Sequence, residues 1–395
     1  MEMYRRTFAE ISVENLVHNW LEIKKVAADD RFICPMVKAN AYGHGDVQIA
    51  KALQNAGADT VGVCLIEEGF ILRASGVQAQ ILVFRGFDKQ GAQKILEYQM
   101  TPVISTWEQI QALEGVADDP VKVHVKFDTG MNRLGFTIDQ AEKLFNYFKK
   151  SKKLKLKAIL THLAQGEDAC LVDGFSAKQF QSFSEAVKYF KPLDIYSHVL
   201  NSAGIASLAL VNTKSENHPV LQSHLLHSEK WGFRPGLALY GYPSAPNLTT
   251  MNLRPVMTLK SVVNNIREVK KNECVSYGCS WTAARDSRIA VVPIGYADGY
   301  HRLISNKGHA LFAGELAPIV GRICMDFLML DVTDIIGTDD SAKWIEEEVI
   351  FFGYNQRGTL LSAEKASAVA QTITWETLTS VGERVPRHFK GFTNL

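Results

Sequence analysis

The chain has 395 residues, 46% hydrophobic and 22% charged, with a formal net charge of +1. That balance belongs to a globular protein with a large core, and the near-zero charge removes the electrostatic case for nucleic acid or an anionic membrane as partner. No apolar run approaches the roughly 18 residues of a membrane span, and MEMYRRTFAEISVENLVHNW lacks an apolar signal core, so a cytoplasmic location is expected.

In chain order, apolar β-rich runs alternate with helical patterns. The runs are FICPMV (32–37), TVGVCLI (60–66), AQILVFR (79–85), PVIST (102–106), VKVHVKF (121–127), LKAILTHL (156–163), DIYSHV (194–199) and WGFR (231–234). Amphipathic stretches such as DVQIAKALQNAG and KQGAQKILEYQ lie between them. Eight short buried strands separated by helices predict an α/β architecture with a parallel (β/α)8 barrel over residues 1–242. WGFR is the least regular strand, because the preceding VNTKSENHPVLQSHLLHSEK is too polar to divide into elements. GYPSAPNLTTMNLRP, with Pro243, Pro246 and Pro255, reads as a linker. Beyond it, VMTLKSVVNNIREV, RIAVVPIGYA, PIVGRICMDFLMLDV and EEVIFFG predict a mostly antiparallel β domain over residues 243–395. One late helix in SAEKASAVAQ has Ser362 as its cap. The six cysteines, Cys34, Cys64, Cys170, Cys274, Cys279 and Cys324, form no CxxC pair. They read as reduced thiols, neither a disulfide framework nor a zinc cluster, so no metal is expected.

Reactive groups of a β/α barrel lie at the C-terminal strand ends. Lys38 follows the first strand directly. Alone it is better explained as a solvated lysine, but other strand ends give it company: Lys126 and Arg133 in KFDTGMNRLG, His162 in THLAQG, His198, Asn201 and Ser202 in SHVLNSAG, and Arg234 in FRPG. The loops after strands seven and eight supply small residues, a hydroxyl and free amides, the ingredients of a phosphate cradle at a helix start. An amine and a phosphate cradle at one mouth fit pyridoxal 5′-phosphate held as a Schiff base. An arginine beside the pyridine nitrogen stays protonated and can only donate. The ring nitrogen then remains unprotonated, which favours simple proton exchange over chemistry needing a long-lived carbanion.

With those residues assembled, the chain resembles the alanine racemases, fold-type III pyridoxal-phosphate enzymes. The resemblance runs through FAEIS, VKANAYGHG, KFDTGMNRLG, THLA, NSAG, RPGLALYG, VSYG, GYADGY and GRICMD to RVPR. It implies interconversion of L- and D-alanine for cell-wall peptidoglycan, by a head-to-tail homodimer. Lys38 would link the cofactor and act as one acid/base. Tyr42, Ser202 and the amides of Gly236 and Leu237 would bind phosphate, with Arg234 at the pyridine nitrogen and His162 supporting it. Arg133 and Met325 would contact substrate, Met325 across the interface. Lys126 matches a lysine that is carbamylated in some members. Tyr277, in VSYG of the β domain, would be the second acid/base, presented to the partner's cofactor. Racemisation removes a proton from one face of Cα and returns it to the other, so two bases suit it. A free phenol titrates near 10, so Tyr277 needs help to act as a base, and the His162–Arg234 chain is the candidate helper.

Two positions depart from the family pattern. Asn132 stands where many members have glycine, and Trp375 where a tyrosine commonly lines the entrance. An indole N–H donates but cannot accept, so a changed entrance and substrate breadth are expected. The alternatives are a broader amino-acid or serine racemase, a fold-type III decarboxylase, against which Arg234 argues, and a non-catalytic pyridoxal-phosphate-binding protein, which has no use for the C-terminal half.

Overall fold

The computed structural model describes residues 5–27, 31–169, 171, 173–212, 231–244, 250–338 and 340–391. Two compact units emerge. One comprises Leu16–Ala41 and Asp46–Arg254, the other Met1–Asn15, Tyr42–Gly45 and Pro255–Leu395.

The first unit holds eight parallel strands: β2 (Phe32–Ile33), β3 (Thr60–Val63), β4 (Gln80–Val83), β5 (Thr101–Ile104), β6 (Val121–Lys126), β7 (Leu154–Leu160), β8 (Tyr196–Leu200) and β9 (Trp231–Phe233). Their spatial order is β2-β9-β8-β7-β6-β5-β4-β3. A parallel bridge between Met36 and Gly62 completes the ring: the Val37 amide donates to Gly62 O and the Gly62 amide to Pro35 O, both at 2.8 Å. A side chain at position 62 would collide with Met36 Sδ and Cys34 Sγ, so glycine is what lets these strands close. Helices intervene, among them α2 (Asp46–Asn55), α3 (Ile66–Ala74), α4 (Lys89–Glu97), α5 (Trp107–Glu114), α6 (Ala141–Lys150), α7 (Phe175–Phe190) and α8 (Ser202–Asn212). Asp88 caps α4 by accepting from the Gly91 amide at 2.8 Å, which stabilises it by about 1 kcal/mol. Helix α2 turns Ile49, Ala50, Ala52 and Leu53 inward, the stripe its spacing predicted. The eighth strand forms as Trp231–Phe233, while 213–230 of the polar segment before it lie outside the described residues.

The second unit is mostly antiparallel. Strands β10 (Met257–Val262), β15 (His309–Phe312), β16 (Glu315–Pro318) and β18 (Glu348–Tyr354) build one sheet with β1 (Phe8–Ser12) and β20 (Arg387–Lys390), in the order β16-β15-β18-β10-β1-β20. Among the described residues of this sheet, only β1 and β20 pair in parallel. A second sheet is β11 (Asn265–Val269), β14 (Ser287–Val292) and β17 (Leu328–Asp331). Helix α9 (Ala363–Val369) starts at Ser362, whose Oγ accepts from the Glu364 amide at 3.2 Å. A division at residue 242 therefore misses the N-terminal strand, which pairs with β10 and β20 instead of joining the barrel. The alternation in FAEIS marks a half-buried strand but carries no record of its partners. In the same sheet Lys260, 6% exposed, reaches Glu10 and Glu348 at 2.9 Å each. Two carboxylates offset the cost of burying its charge.

One sequence expectation is corrected here. Cys274 and Cys279 are joined as a disulfide with Cα atoms 5.1 Å apart, whereas Cys34, Cys64 and Cys324 are free. A turn, not a CxxC spacing, brings the pair together, so spacing gave no warning. Cys170 lies outside the described residues.

Candidate active site

The first-strand lysine stands at a backbone anomaly. After β2 the chain enters a short left-handed turn: Ala39, Asn40, Ala41 and Tyr42 have φ between 51° and 54°. Each such residue costs an L-amino acid about 1–2 kcal/mol, so neighbours must hold the turn. In the barrel unit Glu68 of α3 does so. Its carboxylate accepts from the Ala39 amide at 2.7 Å and from those of Cys64 and Leu65 at 2.8 and 2.9 Å. Asn40 Oδ1 accepts from the Asp46 amide at 3.0 Å. Lys38 is left half-buried at the strand's end.

Arg234, just past β9, is 5% exposed and has no carboxylate partner among the described residues. Its terminal nitrogens are nevertheless saturated. Nη1 donates to His198 O and to His198 Nδ1, the latter at 2.9 Å. Nη2 donates to Thr161 O at 2.6 Å and Val199 O at 3.1 Å, with His162 Nδ1 a long 3.5 Å away. Of the five N–H groups only Nε has no acceptor among the described residues. Burial lowers the guanidinium to about 10, partly countered by Cys34, so it is charged at neutral pH.

Because arginine only donates, His198 Nδ1 must accept, which puts the ring proton on Nε2. Nε2 then donates to His124 Nδ1 at 2.9 Å, fixing both tautomers. Both rings are neutral. Burial, then the Arg234 charge, pulls His124 down to about 3 and His198 well below the imidazole range. Half-buried His162 is lowered by the same two causes. Sequence reasoning gave His198 no role and missed His124 altogether. The signal was present: His124 and Lys126 sit two apart on β6 and so share a face. Glu68 was missed as well, since a glutamate in the first turn of a helix reads as solvated.

Ser202 starts α8 and is 6% exposed. Its hydroxyl accepts from the Gly236 amide at 2.8 Å and the Ala238 amide at 3.3 Å. Leu237, between them, is buried and begins a short 3-10 helix. A hydroxyl and converging amides at two helix starts are what a phosphate needs.

Lys126 ends β6 at 7% exposure. Burial, then Arg234 and Arg133, lowers its amine to about 8, with Asp128 and Cys64 opposing. Arg133 is exposed on the following loop. The Asp128 carboxylate accepts from the Gly130, Asn132 and Arg133 amides at 2.9, 3.0 and 2.9 Å.

The second unit contains the remaining candidates. Tyr42 is buried at 7% exposure, next to His44, whose Nδ1 is 3.0 Å from Tyr42 O. Arg387 donates to Gly43 O at 2.9 Å, and a Cβ on Gly43 would meet Leu378 O at 2.3 Å. Tyr277 is 73% exposed and Met325 52%. Tyr277 lies between β12 (Cys274–Val275) and β13 (Trp281–Thr282). Trp375 is half-buried on α10 (Thr374–Thr379).

The barrel mouth thus offers an amine, an anion cradle and one unsatisfied guanidinium donor. These define a scaffold for an enzyme working through a phosphate-bearing pyridine aldehyde. Residues 11–244 match the family model described as alanine racemase, N-terminal domain, and residues 256–389 that of the C-terminal domain. The alanine racemase of Carboxydothermus hydrogenoformans is 35% identical, covering 97% of this chain and 99% of its own. The alanine racemase of Clostridium difficile superposes with a TM-score of 0.84 at 29% identity, over 98% of this chain and 97% of its own. That of Bartonella henselae, solved with covalently bound pyridoxal phosphate, gives 0.81 at 30% identity over 98% and 99%. The chain belongs to the alanine racemase family.

Proposed function

We propose that this enzyme interconverts L- and D-alanine with pyridoxal 5′-phosphate, using Lys38 and Tyr277 as its two acid/bases. The observation that supports it most is the saturation of Arg234 at every donor but Nε. A single cationic donor held by carbonyls and a neutral imidazole suits a ring nitrogen that must stay unprotonated. The bound cofactor supplies an imine-forming carbonyl and an electron sink for charge developing at Cα. Ser202, Tyr42 and the amides of Gly236 and Leu237 hold its phosphate, and Arg133 and Met325 meet the substrate. Lys38 holds or returns the proton on one face of Cα. Tyr277 does the same on the other, and the Arg234 charge, with neutral His162 beside it, supplies the positive field that favours its phenolate.

Tyr277 at 73% exposure is poorly placed to work in water. It serves the site of a second copy in a head-to-tail homodimer, which removes it from solvent. No helix among the described residues is long and apolar enough to cross a membrane, consistent with a cytoplasmic supply of D-alanine to peptidoglycan. The Lys126 amine is lowered to about 8 by burial, Arg234 and Arg133; a carbamate there would offset those two positive charges, and mass spectrometry with labelled bicarbonate tests for the adduct.

The test is turnover of each alanine enantiomer by holoenzyme, coupled to D-amino-acid oxidase or followed by circular dichroism. Exchange in both directions is expected, and its absence at saturating alanine overturns the reading. A panel with serine and larger side chains reads the breadth that Trp375 sets.

A further inference from the structure

Two cysteines bracket the proposed second base in CVSYGC. Cys274 and Cys279 are both exposed, and their sulfurs are joined with Cα atoms 5.1 Å apart, inside the roughly 4.4–6.8 Å that a disulfide accepts. Within the ring they close, Ser276 has φ 67°, Gly278 71° and Cys279 42°. Left-handed backbone is natural at Gly278, but at a serine and a cysteine it persists only where the surroundings enforce it. Two restraints serve: Ser276 Oγ donates to Arg322 O at 2.7 Å, and the sulfur link ties the far end of the turn to β12. Tyr277 sits between the two enforced residues, with an exposed side chain that packing does not fix.

The geometry points to a thiol–disulfide modification site at Cys274 and Cys279 that governs how Tyr277 is presented, with a small disulfide such as glutathione disulfide as its substrate. The inference rests on Tyr277 being the second base. A thiolate of the pair attacks the external disulfide, forming a mixed disulfide and releasing one small thiolate. The other cysteine, as thiolate, then attacks the protein sulfur of that mixed disulfide and releases the second. Two protons leave the protein and two electrons go to the external disulfide, which ends as two thiols. Excess small thiol runs the sequence backwards.

Closure holds Ser276 and Cys279 in their left-handed wells, whereas opening lets both relax and widens the positions Tyr277 samples. Turnover therefore falls in the dithiol form, by about fivefold for a conformational cost near the lower end of such strain. The cofactor-binding residues described in the barrel are in the other unit, so the bound-cofactor absorbance stays unchanged.

The experiment poises holoenzyme in glutathione buffers from reducing to oxidising, traps thiols by alkylation, and maps the link by peptide mass spectrometry. Alanine kcat and KM are measured on the same samples. Expected are an internal Cys274–Cys279 link that forms reversibly, a kcat that tracks it, and a nearly constant KM. Cys274→Ser and Cys279→Ser should each hold turnover at the dithiol level in every buffer. Both cysteines remaining alkylatable throughout, or a link to Cys324, whose Sγ is 3.5 Å from Ser276 Oγ, overturns the site. A verified internal link with unchanged kcat overturns its coupling to Tyr277. Full activity of Tyr277→Phe instead defeats the second-base reading and leaves disulfide formation standing, so the two failures are distinguishable.

Discussion

The two halves of the proposed proton path are built in opposite ways. At the barrel mouth, Arg234 is 5% exposed and four of its five N–H groups are spoken for by carbonyls and a neutral imidazole. In the second unit Tyr277 is 73% exposed, on a turn with three left-handed residues. A buried group is positioned by its own chain's packing and hydrogen bonds. An exposed one is positioned only by its backbone, so whatever covers it must come from elsewhere. Arg234 is thus fixed from within its own unit, whereas the β unit leaves Tyr277 exposed. The proposed head-to-tail homodimer would use that division, pairing one chain's barrel with the other chain's Tyr277.

The sharpest way to break this comparison is to remove one base from each half. Lys38→Ala should lose both the cofactor link and one acid/base, lowering kcat by about 10⁴-fold or more and abolishing the absorbance of linked cofactor. Tyr277→Phe should lower kcat by about 10²–10⁴-fold with that absorbance intact. Mixing the two inactive variants gives a second readout. If each active site draws its lysine from one chain and its tyrosine from the other, heterodimers regain one complete site. Mixtures that stay inactive after subunit exchange would falsify the shared-site arrangement.

A smaller effect tests the hydrogen bonds that fix Arg234 from within the barrel unit. His124→Leu leaves the buried His198 Nε2 proton without an acceptor, costing about 1–3 kcal/mol, read as a lower urea midpoint. It should also change the acid limb of stability. His124 titrates at about 3 when folded and near 6.5 when unfolded. Above the unfolded value neither state is protonated and the contribution is complete. As pH falls from about 6.5 toward 3 the unfolded chain gains a proton that the folded one refuses, so stability drops by about 1.4 kcal/mol per pH unit. The variant should show a shallower decline across that window, and an unchanged slope means His124 is charged when folded.

The barrel was legible in the sequence because its strands are short apolar runs buried along most of their length, as in fully buried TVGV of β3. The positions of Lys38, Arg234 and Ser202 past strand ends were legible, because such places in a β/α barrel have chemical meaning. What stayed hidden depends on three-dimensional partners. Nothing in KANAY announces that Ala39, Asn40, Ala41 and Tyr42 take left-handed φ, a turn that Glu68 and Asn40 anchor through the amides of Ala39 and Asp46. FAEIS shows its alternation but not that β10 and β20 flank it. The Cys274–Cys279 pair depends on a turn whose φ signs no spacing rule reports.

The least disruptive test concerns the loop carrying Arg133. Asn132, where the resemblance leads one to expect glycine, has φ 53°, a left-handed position that asparagine tolerates better than other side chains. Its amide and those of Gly130 and Arg133 all reach the Asp128 carboxylate, and those bonds involve no atom of the Asn132 side chain. The side chain is exposed, so no packing is lost with it. Asn132→Gly should therefore keep the turn and the direction of Arg133, leaving kcat/KM within about twofold. Stability should move by less than about 1 kcal/mol, since easier left-handed backbone offsets the greater freedom of the unfolded chain. Asn132→Val, which cannot adopt that φ without strain, should instead raise KM for alanine by loosening Arg133. If both variants behave alike, the loop does not depend on its left-handed residue, and the departure from glycine carries no structural meaning.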